Sequence, residues 1–225
     1  MSRDYFGNLP VVAGMAFSRD VLLLDDCEGA FTWQTAGTGG DDVHEYLAAA
    51  AFAGTAGLHL KTRTTSAAEN DSLLAQKWLG YPETGLLVAR AKIASPSWAA
   101  VKTINFIAVH GNGARNYNGQ LQYTPATGVV AYANAAGAAT AIAALAHQEL
   151  DYQFTTWELV IDCRAHQYLA VAINGLRASL AGVDLWDSAA AAQRYAGLGL
   201  GVTTSGAVSA ELYASHLYVG ENLEA

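Results

Sequence analysis

At 225 residues, with 52% hydrophobic and only 14% charged residues, the chain has enough apolar surface to bury a sizeable core, which excludes intrinsic disorder. A net charge of −8 removes the basic field that draws proteins to nucleic acid or anionic membranes, so neither is expected as a partner. Two cysteines, Cys27 and Cys163, are too few for a disulfide framework. They are expected as free, buried thiols, with pairing left open if their strands are neighbours.

Residues 1–20 read as an extended arm, with short apolar patches separated by Gly7, Pro10 and Gly14. Tyr5, Phe6, Leu9 and Val11 are its candidate partner-binding residues. No long apolar run follows a positive start, so neither a secretory signal nor a membrane helix is expected. Residues 21–225 are expected to form one sandwich domain. VLLLDDCEGAFTW opens it as a buried run, a turn at Glu28-Gly29 and aromatics at Phe31 and Trp33. HEYLAAAAFAG is helical by propensity but a strand by setting, and SLLAQKWLG is ambiguous. GLHLKTRTT, GLLVARAKIAS and TINFIAVHG alternate as strands, and LQYTPATGVVAYANAAG reads as two strands joined at Pro125–Gly128. In ATAIAALAHQEL the alanines favour helix, whereas Ile142, Ala144 and Ala146 fit one strand face. A short helix is predicted near 188–196, and two further strands close the chain.

WELVIDCRAHQYLAVAINGL places Asp162, Cys163 and His166 within five positions. Period-two alternation puts Trp157, Leu159, Ile161 and Cys163 on one apolar face and Asp162 on the other. His166 then falls in a turn, and Asn174-Gly175 supplies another. The segment is predicted to be a hairpin rather than a reactive site. Its pattern resembles the laminin G-like and concanavalin A-like jelly rolls, as do the acidic opening strand LLLDDCEGAFTW and the Gly-x-Leu-x-Leu strand GLHLKTR. The resemblance spans about residues 21–220 and rests on short patterns of burial and turns. It implies an all-β, antiparallel two-sheet jelly-roll sandwich.

Glycosidases of that fold carry a Glu-x-Asp-x-x-Glu strand, which is absent here; Asp41, Asp42 and Glu45 read as solvated acids beside a glycine-rich loop. NYNGQLQY (116–123) is similar to a strand of the polysaccharide lyases of this fold, without their His and Arg strands. Calcium, bound by many jelly-roll lectins, would draw on Asp25, Asp26 and Glu28 or on Asp41 and Asp42, but a spaced ligand loop is missing, so no cofactor is assigned. The six histidines stand singly, in no metal-binding spacing. Trp78, Trp98, Tyr117 and Trp186, together with Tyr81, are candidate glycan-binding rings, since a flat ring covers the apolar face of a pyranose. Core packing accounts for the same residues equally well. The reading that results is a non-catalytic structural subunit of a phage-like virion, a capsid decoration or tail-associated protein. It would be homo-oligomeric, contact its neighbours through the arm, and be located in the virion or otherwise in the cytoplasm. The alternative is a carbohydrate-binding module or lectin, with a lyase or glycosidase behind it.

Overall fold

The computed structural model describes residues 20–27, 29–52, 54–79, 85–146, 149–188 and 194–222. The proposed arm, with Tyr5, Phe6, Leu9 and Val11, lies outside them except for Asp20, which begins the first strand. Tyr81 and Glu28 also lie outside them.

Two eight-stranded antiparallel sheets pack face to face. The first runs β13 (Leu176–Asp184), β12 (Gln167–Ile173), β11 (Thr155–Asp162), β6 (Leu86–Ala94), β16 (Glu211–Asn222), β4 (Gly57–Lys61) and β3 (Val43–Leu47). β1 (Asp20–Asp25) also pairs with β16. The second runs β10 (Ala139–Ala141), β9 (Val129–Ala133), β8 (Asn116–Thr124), β7 (Val101–Asn112), β15 (Arg194–Thr204), β5 (Ser72–Leu79) and β2 (Gln34–Gly37). β14 (Trp186–Ser188) pairs with β8. This is the all-β jelly-roll sandwich that the strand pattern implied.

Alternation sorts each strand into a core face and an outer face. β11 turns Trp157, Leu159 and Ile161 inward, and Cys163 follows them into the core; both cysteines are buried and neither is in a disulfide. Trp157 is fully buried, edge-on to Phe106 and Tyr123 from the opposite sheet, and its indole N–H donates to Thr155 Oγ1 at 2.9 Å. Residues 163–166 turn the chain into β12, and Asn174-Gly175, both at positive φ, turn it into β13. The ambiguous segments resolve as strands with short 3-10 turns, because each pairs with a neighbouring strand of its sheet. Val43–Leu47 precedes a turn at Ala48–Ala50, Ser72–Leu79 is a strand throughout, and Ala139–Ala141 precedes a turn at Ala143–Leu145. Of the helix predicted near 188–196, residues 189–193 lie outside the described residues; Ser188 and Arg194–Ala196 on either side are strand.

One polar hub lies inside the sandwich. The buried Asp25 carboxylate accepts from the Cys27 N–H at 2.8 Å, Trp33 Nε1 at 2.9 Å, Tyr46 Oη at 2.9 Å and Lys77 Nζ at 2.7 Å. It joins β1 of one sheet to β5 of the other. Burial pushes this carboxyl up, but the bonds from Lys77, Cys27 and Tyr46 outweigh it and hold the group below its usual range. Burial, with Asp25 adding to it, pushes the neighbouring Cys27 thiol up to about 12, so it stays protonated. We predict that Asp25→Ala, which leaves the Lys77 ammonium without its counter-ion, costs about 3–5 kcal/mol in urea unfolding. Because the folded carboxyl titrates below the unfolded one, its stabilisation is full above pH of about 4 and is lost as pH falls through the folded value. Asp25→Asn should abolish that acid limb.

Candidate functional site

The outer face of the second sheet carries uncharged polar and aromatic side chains on its central strands. Its four central strands turn Leu73, Ala75, Ile104, Phe106, Ala108, Leu121, Tyr123, Ala196, Leu198, Leu200 and Val202 into the core. The intervening residues therefore face outward, and the strand register arranges them in rows across the sheet. One row reads Tyr195, Gly111, Asn116, Ser188. The next reads Trp78, Gly197, Val109, Asn118, Trp186. A third reads Gln34, Gln76, Gly199, Ile107, Gln120, and a fourth Ala36, Leu74, Gly201, Asn105, Gln122, Ala131.

Carboxamides dominate these rows, and apart from the Tyr195 phenol none of their side chains ionises. Gln120 Nε2 donates to Asn105 Oδ1 at 2.9 Å, and Gln122 Nε2 to the same oxygen at 3.3 Å. Tyr195 Oη donates to Asn116 Oδ1 at 2.6 Å, and Trp78 Nε1 to Gln34 Oε1 at 2.8 Å. The two rings meet edge to face, with centroids 4.7 Å apart. They lie directly on glycine backbone. A Cβ at Gly111 would fall 2.6 Å from the Tyr195 ring, and one at Gly197 would fall 2.9 Å from the Trp78 ring. Glycine at these positions is what lets the rings settle onto the sheet.

The sequence candidates divide. Trp78, 38% exposed, and Trp186, half-buried, both stand on this face. Trp98 is 6% exposed; its indole N–H donates to the Leu150 carbonyl at 3.0 Å and its ring packs on Tyr123, so it is a core residue, not a surface ring. Tyr117 points inward, between the sheets, because it shares the parity of Leu121 and Tyr123. Tyr195, and the amides outside NYNGQLQY, are not among the sequence candidates. The signal for this face was the outward alternation in NYNGQLQY and RYAGLGLGV, which reads equally well as an ordinary strand.

Beneath the face, polar groups tie it to the other sheet. The Tyr168 hydroxyl, fully buried, donates to the Ala133 carbonyl at 2.8 Å and accepts from the Gln120 N–H at 2.9 Å. At one end of the sandwich His110, Tyr117 and His166 stack. Tyr117 and His166 lie parallel with centroids 3.7 Å apart, and His166 Nδ1 is 3.3 Å from His110 Nε2. His110 and His166, which stand singly in the sequence, thus meet once the sheets close. Asp162 accepts the N–H groups of Arg164 and Ala165 in the turn beside them, so Asp162, Cys163 and His166 form no reactive cluster. The His166 carbonyl accepts the Leu185 N–H at 2.9 Å, which fixes the chain as it passes from β13 to β14 and Trp186. Burial, with His166 adding to it, pushes His110 down to about 4.

The acids read as calcium candidates are engaged elsewhere. Asp25 is saturated by four protein donors, among them the Lys77 ammonium. Asp41 accepts from Thr64 and Thr65. Asp42 sits 3.5 Å from His44 Nδ1, and Asp26 is exposed. Glu45 stands on β3, 3.2 Å from His59 Nδ1. Among the described residues no group of three or more His, Cys, Asp or Glu side chains is placed to hold a metal ion.

Two tests follow. Gly197→Ala should displace the Trp78 ring and cost about 1–3 kcal/mol in thermal unfolding, whereas Gly40→Ala, with open space around it, should leave stability nearly unchanged. His110 titrates near 4 folded and near 6.5 unfolded, so the neutral ring stabilises fully above pH of about 6.5 and progressively less as pH falls towards 4. Urea unfolding should show about 2–4 kcal/mol less from this group at pH 4 than at pH 7. In His110→Phe that loss should shrink, and an unchanged pH slope would refute the assignment.

No protein-family model matches the chain, and no curated protein sequence does. Solved structures share its fold. The cellulose-induced protein Cip1 aligns with 89% of this chain and 97% of its own length, at 9% identity and a TM-score of 0.57. The β-glucanase of Bacillus licheniformis aligns with 89% and 98%, at 10% identity and 0.51. The endo-1,3-β-glucanase of Streptomyces sioyaensis aligns with 89% and 95%, at 13% identity and 0.51. Carbohydrate-binding modules stand among further matches with lower TM-scores. These neighbours of like fold are named as a cellulose-induced protein and two glucanases, not as virion subunits, which corrects the expectation of a phage-like virion subunit. In fold, the chain is similar to the concanavalin A-like jelly rolls.

Proposed function

We propose that this protein binds a neutral polysaccharide of the β-glucan class, without cleaving it, on the outer face of the second sheet. The observation that carries this reading is the composition of the four rows: carboxamides and indoles, with no carboxylate, ammonium or guanidinium. A carboxamide both donates and accepts, as a sugar hydroxyl does, so a field of them pairs with hydroxyls at no cost in buried charge. Indole rings cover the apolar faces of pyranoses. Hydrolysis of a glycosidic bond uses two carboxylates flanking it, and these rows present none. The glucanase neighbours support the choice of glucan over other neutral glycans.

The purified protein should be retarded in native gels containing soluble β-1,3-glucan or mixed-linkage β-glucan, and should release no reducing ends from either. Retardation should not weaken with added salt, because no ion pair contributes. Trp78→Ala should lower the affinity about tenfold or more, corresponding to about 1.4 kcal/mol. An unretarded wild type, or equal retardation of Trp78→Ala, would overturn the reading.

A further inference from the structure

We infer that the glycan chain lies across the strands, bridging Trp78 and Trp186, so that the site recognises a run of about four sugar rings rather than a terminal unit. This rests on the binding reading above and goes beyond it in fixing the direction and length of the ligand. The carrying observation is that both outward tryptophans fall on one row. Trp78 pairs with Gly197, Gly197 with Val109, Val109 with Asn118, and Asn118 with Trp186. Directly opposed residues of an antiparallel ladder share a face, so both rings rise from the same side of the sheet. The strands bearing them are four interstrand spacings apart, about 19 Å. That exceeds the length of a disaccharide.

Between the rings the row is low. Gly197 contributes no side chain, Val109 is buried beside the Trp78 ring, and Asn118 Nδ2 is held 3.3 Å from Ser188 Oγ. The next row places Gln120 on the strand of Asn118 and Gln76 on the strand of Trp78, so amides border this path. Both rings are held by neighbouring groups. Tyr195 meets Trp78 edge-on, and the backbone of Gly137 lies under Trp186, where a Cβ would come 3.0 Å from Nε1.

The competing direction runs along β15 over Gly197, Gly199 and Gly201. There Ile107 and Gln76 flank the backbone, a Cβ at Gly199 lying 3.3 Å from Ile107 Cβ and 3.6 Å from Gln76 Cγ, and this path carries no second indole. A ligand on that path would touch Trp78 and Tyr195 but would stop short of Trp186, three interstrand spacings away.

The test is isothermal titration of the full chain with β-1,3- and β-1,4-linked gluco-oligosaccharides from disaccharide to hexasaccharide. Affinity should rise about tenfold or more between the disaccharide and the tetra- or pentasaccharide, then level off. Trp186→Ala should remove that rise, so that the hexasaccharide binds no more than about twofold tighter than the disaccharide, and Trp186→Tyr should restore part of it. Circular dichroism and urea unfolding of both variants would separate lost contact from lost fold. Affinity that does not depend on length, or a length dependence unchanged in Trp186→Ala, would overturn the bridging geometry while leaving glycan binding intact. Absence of binding to any oligosaccharide or polymer would instead overturn the binding reading, and the bridge with it.

Discussion

The register of β15 between β7 and β5 is the constraint on which both the core and the candidate site depend. On one side of this strand lie Ala196, Leu198, Leu200 and Val202, all in the core; on the other lie Tyr195, Gly197, Gly199 and Gly201. A slip of one residue would exchange the two sets, burying a nearly featureless glycine strip and exposing three branched apolar side chains. The same slip would move Gly197 out from under Trp78 and Gly111 out from under Tyr195. Packing and surface chemistry therefore select the same alignment.

Several buried polar groups pair across the two sheets. Asp25 reaches Lys77, Tyr168 reaches the backbone of β8 and β9, and His166 reaches His110. Apolar interdigitation is indifferent to small sliding motions, whereas a hydrogen bond of 2.7–3.3 Å is not. These ties set the position of one sheet on the other. Two of them anchor strands that carry the outward amides and Trp186, so the interior supports the geometry of the face above it.

Much of the architecture was legible because period-two alternation is a local signal. WELVIDCRAHQYLAVAINGL could be resolved into a strand, a turn and a second strand, with Cys163 inward, from its own residues. The alanine-rich segments were not legible in the same way, since alanine fits a helix or a strand face equally and tertiary packing decides between them. The site was the least legible part. Amides in NYNGQLQY and glycines in GLGLG each look unremarkable along the chain, and only the pairing of β5, β15, β7, β8 and β14 gathers Trp78, Asn118 and Trp186 into one row. Trp98 and Tyr117 were chosen as aromatics near loops; burial and strand parity, which depend on neighbours distant in sequence, place them inside.

The order of strands within the sheets bears on how the chain comes to be folded. β15 sits between β7 and β5, and β16 sits between β6 on one side and β4 and β1 on the other. Until its last-made strand arrives, the second sheet is therefore in two pieces and the first in three, since β1 joins it through β16. While residues 194–222 are still in the ribosome, the edges of β5, β7, β4 and β6 stand open, with apolar faces that have nothing to pack against. Closure then requires contacts between segments nearly two hundred residues apart, such as Asp20 with Glu221. Such a topology folds late and slowly, and during that interval the unclosed edges are templates for pairing between nascent chains.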